Sequence, residues 1–277
     1  MNRVDGINKG MDDVRALSGV DIPSLKGKVS DEEWKIRVDL AAAYRLVAHY
    51  GWDDLIFTHL SARIPGPEHY FLLNPYQLMF EEVTASSLVK VDVSGNPVEP
   101  TPFITNPAGF TIHSAVHMAR EDAHAVMHLH TPAGQAVSAH DEGLLPLTQT
   151  AMRWGKVAYH DFEGVVVDLD ERKRLVQNLG DCEVMVLRNH GLLACGVTIG
   201  QAFNNIYRLE RACQTQLMAM ACNSEMVVPP QPVIERSNAQ LTVMPSPDAS
   251  GKKRPHGSLE WPALKRMLDR RDSSYRN

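Results

Sequence analysis

Twice in a short stretch the chain sets a helix N-cap directly ahead of a proline, at Asn106-Pro107 and at Thr131-Pro132. Proline has a fixed φ and no N–H, so it suits the first helical position, where that N–H would have no partner anyway. The Asn or Thr before it can accept a hydrogen bond from an orphan amide of the first turn. The first pair predicts a helix from 107 to about Arg120, and the second opens another. Between them, residues 125–130 read Ala-Val-Met-His-Leu-His, a strand pattern. Helix, strand and helix therefore follow one another with little slack.

The same alternation runs through the rest of the chain. Ser30-Asp31-Glu32-Glu33 has the form of a capping box, and Trp34, Val38, Ala41, Leu46 and Val47 follow at helical spacing until Gly51. Residues 55–64 and 70–73 read as strands, the first ended by Pro65-Gly66-Pro67, and Ser94-Gly95-Asn96 marks a turn after strand-like 88–93. A helix is expected from Asp168 to Gly180 and a buried strand over 183–189. Thr198 then opens a long amphipathic helix carrying Phe203, Ile206, Leu209, Cys213 and Leu217. Such alternation predicts an α/β fold with one core sheet. With 44% hydrophobic and 22% charged residues in 277, the chain can fill a full core, which excludes a wholly disordered or fibrous protein. One large domain with tails is expected: a loosely ordered 1–28, a domain over 29–223, and a Pro-rich, basic C-terminal tail over 224–277. Residues 251–277 hold eight Lys and Arg against three acids, or +5, which leaves −10 on the other 250.

Histidine is the outlier. Five of the 12 fall between positions 113 and 130. His128 and His130, two apart on a strand, project from the same face. That spacing suits two ligands of one cation. His190, in Arg188-Asn189-His190-Gly191 at the end of another apolar strand, is the third candidate. Three imidazoles with an open position suit Zn²⁺ or Fe²⁺ rather than oxygen-seeking Ca²⁺ or Mg²⁺. His113 and His117, four apart on the preceding helix, read as supporting donors or a polar helix face, and His124 as surface. His160, after a short strand, reads as a proton carrier or a surface residue. His59 is expected to line the site.

Several classes are disfavoured by what the chain lacks. It has no Gly-rich phosphate loop, no G-x-S-x-G elbow, no basic–aromatic interleaving of a nucleic-acid face and no apolar run of membrane-span length. The N-terminal residues show no secretory signal, and Cys182, Cys195, Cys213 and Cys222 form no C-x-x-C pair, so free buried thiols in a cytoplasmic protein are expected.

The blocks HSAVHMAREDAHAVMHLHTPAGQAVSAHDEGLLP, GKVAYHDFEG and VLRNHGLLACG resemble the class II aldolase/adducin family. LIFTHLSARIPG and FLLNPYQLMFEEVTASSLVKVD extend the likeness over about 31–222. The resemblance is closer to the adducin head and its bacterial relatives than to the sugar-phosphate aldolases. It implies a three-layer α/β/α fold on a mixed sheet, a homotetramer or other homo-oligomer, and metal ligation by His128, His130 and His190. It also implies departures. Where the sugar-phosphate aldolases carry phosphate-binding serines and an acid/base glutamate, this chain has Pro107, Ala108 and Gly109. Their phosphate-loop asparagine corresponds to His59, and their proton-donor tyrosine to Thr150. A metal triad without a phosphate cradle points to an unphosphorylated hydroxy or oxo acid, with Asn106, Arg153 and Arg188 as substrate-binding candidates and Glu81, Tyr159 and His160 as candidate acid/base residues. A metal-dependent C–C lyase is the leading expectation. An Fe²⁺-dependent oxygenase or oxidative decarboxylase is the first alternative, and a non-catalytic adducin-like module, able to bind actin, the second.

Overall fold

A computed structural model describes residues 22–164 and 170–277. The Ser30 side chain accepts a hydrogen bond from the Glu33 amide at 3.1 Å and opens α1, Asp31–His49. Only half of the expected capping box forms. The Glu33 carboxylate turns inward, accepting from Arg37 Nε at 2.8 Å and from Lys90 Nζ at 2.9 Å. Arg37, almost wholly buried, also donates to the carbonyls of Ala85 and Leu88. A buried charge is tolerated when it is paired and hydrogen-bonded in this way.

Seven strands form one sheet: β1 His59–Arg63, β2 Phe71–Leu73, β3 Val89–Val91, β4 Ala125–Leu129, β5 Ala158–His160, β6 Val184–Leu187 and β7 Gly191–Gly196. Their order is β3-β2-β1-β4-β7-β6-β5, antiparallel except for the β5–β6 pair. The helices are α2 Pro107–Ala119, α3 Pro132–Ser138, α4 Glu171–Leu179, α5 Ile199–Ala221, α6 Gln231–Thr242 and α7 Glu260–Arg271. Side-chain alternation sorts the core into two layers. Leu60, Met127, Leu129, Leu192 and Ala194 pack with α1 and α5 on one face. Val126, Met185, Leu193 and Cys195 meet Ile112 and Val116 of α2 and Leu175 and Leu179 of α4 on the other. The architecture is the expected α/β one, with a central mixed sheet between helical layers.

Three details differ from expectation. β1 starts at His59, not 55, because Leu55 and Thr58 adopt φ of 51° and 64° and the Phe57 amide donates back to the Asp54 carbonyl at 2.8 Å. Residues 191–196, to which no element was assigned, form β7, the strand between β4 and β6. Cys222 is exposed, while Cys182, Cys195 and Cys213 are buried and free as expected. Asp168, the expected start of α4, lies outside the described residues, as does the N-terminal segment up to 21.

The C-terminal segment departs most from expectation. Instead of an extended or partly ordered tail, it carries α6, α7 and a 3-10 turn at Ser274–Arg276. Trp261, Leu268 and Tyr275 are buried in the same core as α1 and α5. Trp261 and Leu268, two helical turns apart, share one face of α7, and Tyr275 on the following 3-10 turn joins them in holding the segment down. Among the described residues no helix is long and apolar enough to cross a membrane.

Candidate metal centre

All strand ends relevant to the histidines lie at one end of the sheet. Antiparallel pairing sets His59 of β1 opposite His128 of β4, and Leu129 opposite Leu192 of β7. Parallel pairing sets His160 of β5 opposite Leu187, the last residue of β6. The β6–β7 connection is a tight turn in which Asn189 takes φ 53°, and Ser138 pins it by accepting from the amides of Asn189 and His190 at 3.2 Å. Gly191 is required where β7 begins, since a Cβ there would run into the Leu129 carbonyl oxygen and the His130 ring. Close approach of β4 and β7 therefore carries His190 to the two strand histidines.

The result is a cluster in which one ligand atom from each of His128, His130 and His190 lies within 4.8 Å of the others. Ring centroids are 4.7–4.8 Å apart. His128 Nδ1 lies 3.0 Å from the Leu192 carbonyl oxygen, and His130 Nδ1 lies 3.0 Å from Asp54 Oδ2. Both partners are acceptors, so each Nδ1 carries the proton and donates it. In the neutral form of the two rings each Nε2 is then a bare lone pair, and the two Nε2 atoms lie 3.0 Å apart. Two lone pairs at that distance repel unless a cation is shared between them. The carbonyl and carboxylate behind the rings do what outer partners do at metal sites: they fix the tautomer and aim the ligand nitrogen. Burial, then the neighbouring imidazoles, pushes His128 well below the ordinary histidine value, and burial with His130 and His160 pushes His190 to about 4. Both rings are neutral at neutral pH, as metal ligands must be.

Behind the triad lies a second histidine group. His117 Nδ1 donates to the Ala123 carbonyl at 2.8 Å, so its Nε2 accepts the Ser61 hydroxyl at 2.7 Å. Ser61 Oγ in turn accepts from His113 Nδ1 at 2.5 Å. His59 stacks against both groups, its ring 4.5 Å from that of His113 and 5.2 Å from that of His128. Both of its ring nitrogens are buried without a partner among the described residues, and burial lowers its pKa to about 3. His113 and His117 thus bond to Ser61 and the Ala123 carbonyl, not to the triad itself.

Residues 38–217 match the family described as Class II Aldolase and Adducin N-terminal domain. The chain belongs to that family. It is 54% identical over 254 residues to a Caulobacter vibrioides protein named for aldolase class 2, covering 91% of this chain and 96% of the relative. It is 42% identical to rat alpha-adducin, with 84% of this chain covered but only 33% of the adducin. Among solved structures, an aldolase II superfamily protein from Pseudomonas syringae superposes with a TM-score of 0.86 at 47% identity, covering 92% of this chain and all of the other. An L-fuculose 1-phosphate aldolase from Glaciozyma antarctica gives a TM-score of 0.74 at 28% identity, covering 93% and 96%.

In this class II aldolase/adducin chain the remaining candidates scatter. Arg188 borders His190 in a small pocket with His160 and Phe162, its guanidinium 4.4 Å above the Tyr159 ring and donating to the His140 carbonyl at 2.6 Å. His160 is also beside His190, yet both its nitrogens are taken, by Glu171 at 3.3 Å and Asn178 at 2.9 Å, and it is buried rather than on the surface. Tyr159 points to the opposite face of β5, where its hydroxyl accepts from the Leu144 amide at 3.0 Å. Glu81 is exposed on a 3-10 turn beside Arg45. Arg153 lies in a separate cavity at the far end of the strands. Asn106 sits one residue ahead of α2, and His124 is exposed as expected. Sequence reasoning missed Asp54, for which an acid ahead of a turn was the only signal.

Proposed function

We propose that this chain is a divalent-metal-dependent enzyme that makes or breaks a C–C bond in a small unphosphorylated hydroxy or oxo acid, with His128, His130 and His190 as ligands of Zn²⁺ or Fe²⁺. The observation that carries this reading is the pair of Nε2 lone pairs facing each other at 3.0 Å, each imposed by an acceptor on the other ring nitrogen. Likeness to a fuculose-phosphate aldolase over nearly the whole chain supports it. A cation bound there supplies a Lewis acid for a substrate carbonyl or carboxylate oxygen. Leu192 and Asp54 hold the ligand tautomers, and Arg188 lines the small pocket beside His190 as the nearest candidate to orient a carboxylate. Phe162, its ring 6.0 Å from that of His190, gives the entrance an apolar edge. A homo-oligomer in the cytoplasm is part of the same proposal.

The likeness to alpha-adducin favours a second reading, a non-catalytic module that binds a protein such as actin. Metal analysis separates the two. Full-length protein purified without added metal is expected to hold nearly one Zn or Fe per chain, lost on His128→Ala and kept on His124→Ala. An empty site in the wild-type chain overturns the enzyme reading. Zinc would point to lyase chemistry, and iron to the oxygenase alternative.

A further inference from the structure

The sheet has a second end, and it too is built around a cavity. Where β6 begins at Val184 and β7 finishes at Gly196, a cavity of about 460 Å³ opens between the sheet, α6 and the turn over 253–256. The six residues of β7 separate it from the histidine triad by about 20 Å at the usual strand rise. Its volume falls in the range of small-molecule sites, roughly 300–1,000 Å³.

The walls are cationic. Arg153, Lys156, Lys253 and Arg254 line the cavity against two carboxylates, Asp181 and Glu183. Glu183 is already engaged, accepting from Gln201 Nε2 at 2.9 Å and Asn205 Nδ2 at 3.2 Å. Among the described residues no ion pair joins either carboxylate to the four cations. Arg208 adds a further positive charge close enough to Arg153 to act on it electrostatically. Arg153 itself is fixed. One guanidinium nitrogen donates to Asn204 at 3.1 Å, and its carbonyl accepts from Asn238 of α6 at 2.6 Å. His256, in the same wall, is pushed down to about 4 by burial and by the Arg153 and Lys253 charges, as a positive local field requires.

We propose that this cavity is a second ligand site, distinct from the histidine centre, that takes a small anion bearing two or more charges on phosphate or carboxylate groups. Arg153 and Lys156 supply charge from the core side, and Lys253 and Arg254 close over the anion from the C-terminal segment. The positive charge concentrated at the end of the chain has its use here. Occupancy would tie that segment more firmly to the core.

Calorimetric titration of the full chain tests this, with sodium phosphate and sodium succinate as probes at pH 7.5 and ionic strength held constant with NaCl. Saturable binding of at least one probe is expected, weakened about tenfold or more by Arg153→Gln and by the double change Lys253→Gln/Arg254→Gln, and unchanged by His128→Ala. The probe that binds tells whether the site reads phosphate or carboxylate. The double change lies on an accessible turn, so it reports even where Arg153→Gln disturbs folding. Absence of saturable binding of either probe overturns the proposal. So does affinity untouched by the double change, or lost on His128→Ala.

Discussion

Acid should unfold the metal-free chain in a window set by its buried histidines rather than by its carboxylates. Burial is the largest cause in each case, and it lowers His59 and His117 to about 3 and His190 to about 4. Unfolded histidine titrates near 6.5. Because the folded values are the lower ones, the unfolded chain binds protons first as the pH falls. Stability is therefore complete above about 6.5 and drains away as the pH drops toward the folded values. At pH 5 each such group costs about 2 kcal/mol, and the three together about 6 kcal/mol. His113 and His128, fully buried and also lowered, add in the same direction. Half-buried His256 adds less, since solvent screens it. The total rivals a typical domain stability of about 5–15 kcal/mol. Urea unfolding of chelator-treated protein, followed by tryptophan fluorescence, measures the effect. The midpoint should hold steady from pH 8 to 7 and then fall steeply to pH 5, each histidine contributing about 1.4 kcal/mol per pH unit. A midpoint that is flat across pH 7 to 5 would refute the assignment of these rings as buried and neutral.

Other perturbations probe separate parts of the argument. Asp54→Asn keeps the shape beside His130 but weakens the acceptor behind it, so metal affinity should drop about 10- to 100-fold in a competition assay with a chromogenic chelator. Glu33→Ala strands Arg37 inside the protein and should cost about 3–5 kcal/mol in urea unfolding, far beyond an ordinary exposed pair. Trp261→Ala should cost about 3–5 kcal/mol, whereas a loss under about 0.5 kcal/mol would show that the C-terminal segment is not part of the core.

Local rules reached far into this chain. Ser30, Thr131 and Thr198 each accept from an amide three residues on, and the helices begin where those caps stand. Strand parity puts His128 and His130 on one face, and their rings do meet just past the end of β4. Non-local geometry stayed hidden. Nothing in the residues from Gly191 to Gly196 says that they form a strand that slots between β4 and β6, because a short apolar run does not by itself tell a strand from a buried helix segment or name its neighbours. Asp54 reaches His130 only through a turn with two left-handed residues, Leu55 and Thr58, whose types do not advertise that conformation. The acid/base candidates Glu81 and Tyr159 were chosen by residue type, and type carries no information about which face or end of a sheet a side chain occupies.

The two borders of the sheet carry a last consequence. β3 and β5, which form them, are three residues each. β3 is further closed by its own chain, since Val98 donates to the Lys90 carbonyl at 2.9 Å and Pro97 bridges to Val91. A visiting strand finds almost no ladder of free amides and carbonyls to join, which is how natural sheets avoid growing into one another. Short, partly covered borders therefore disfavour assembly by strand addition and favour contacts through helix and loop surfaces.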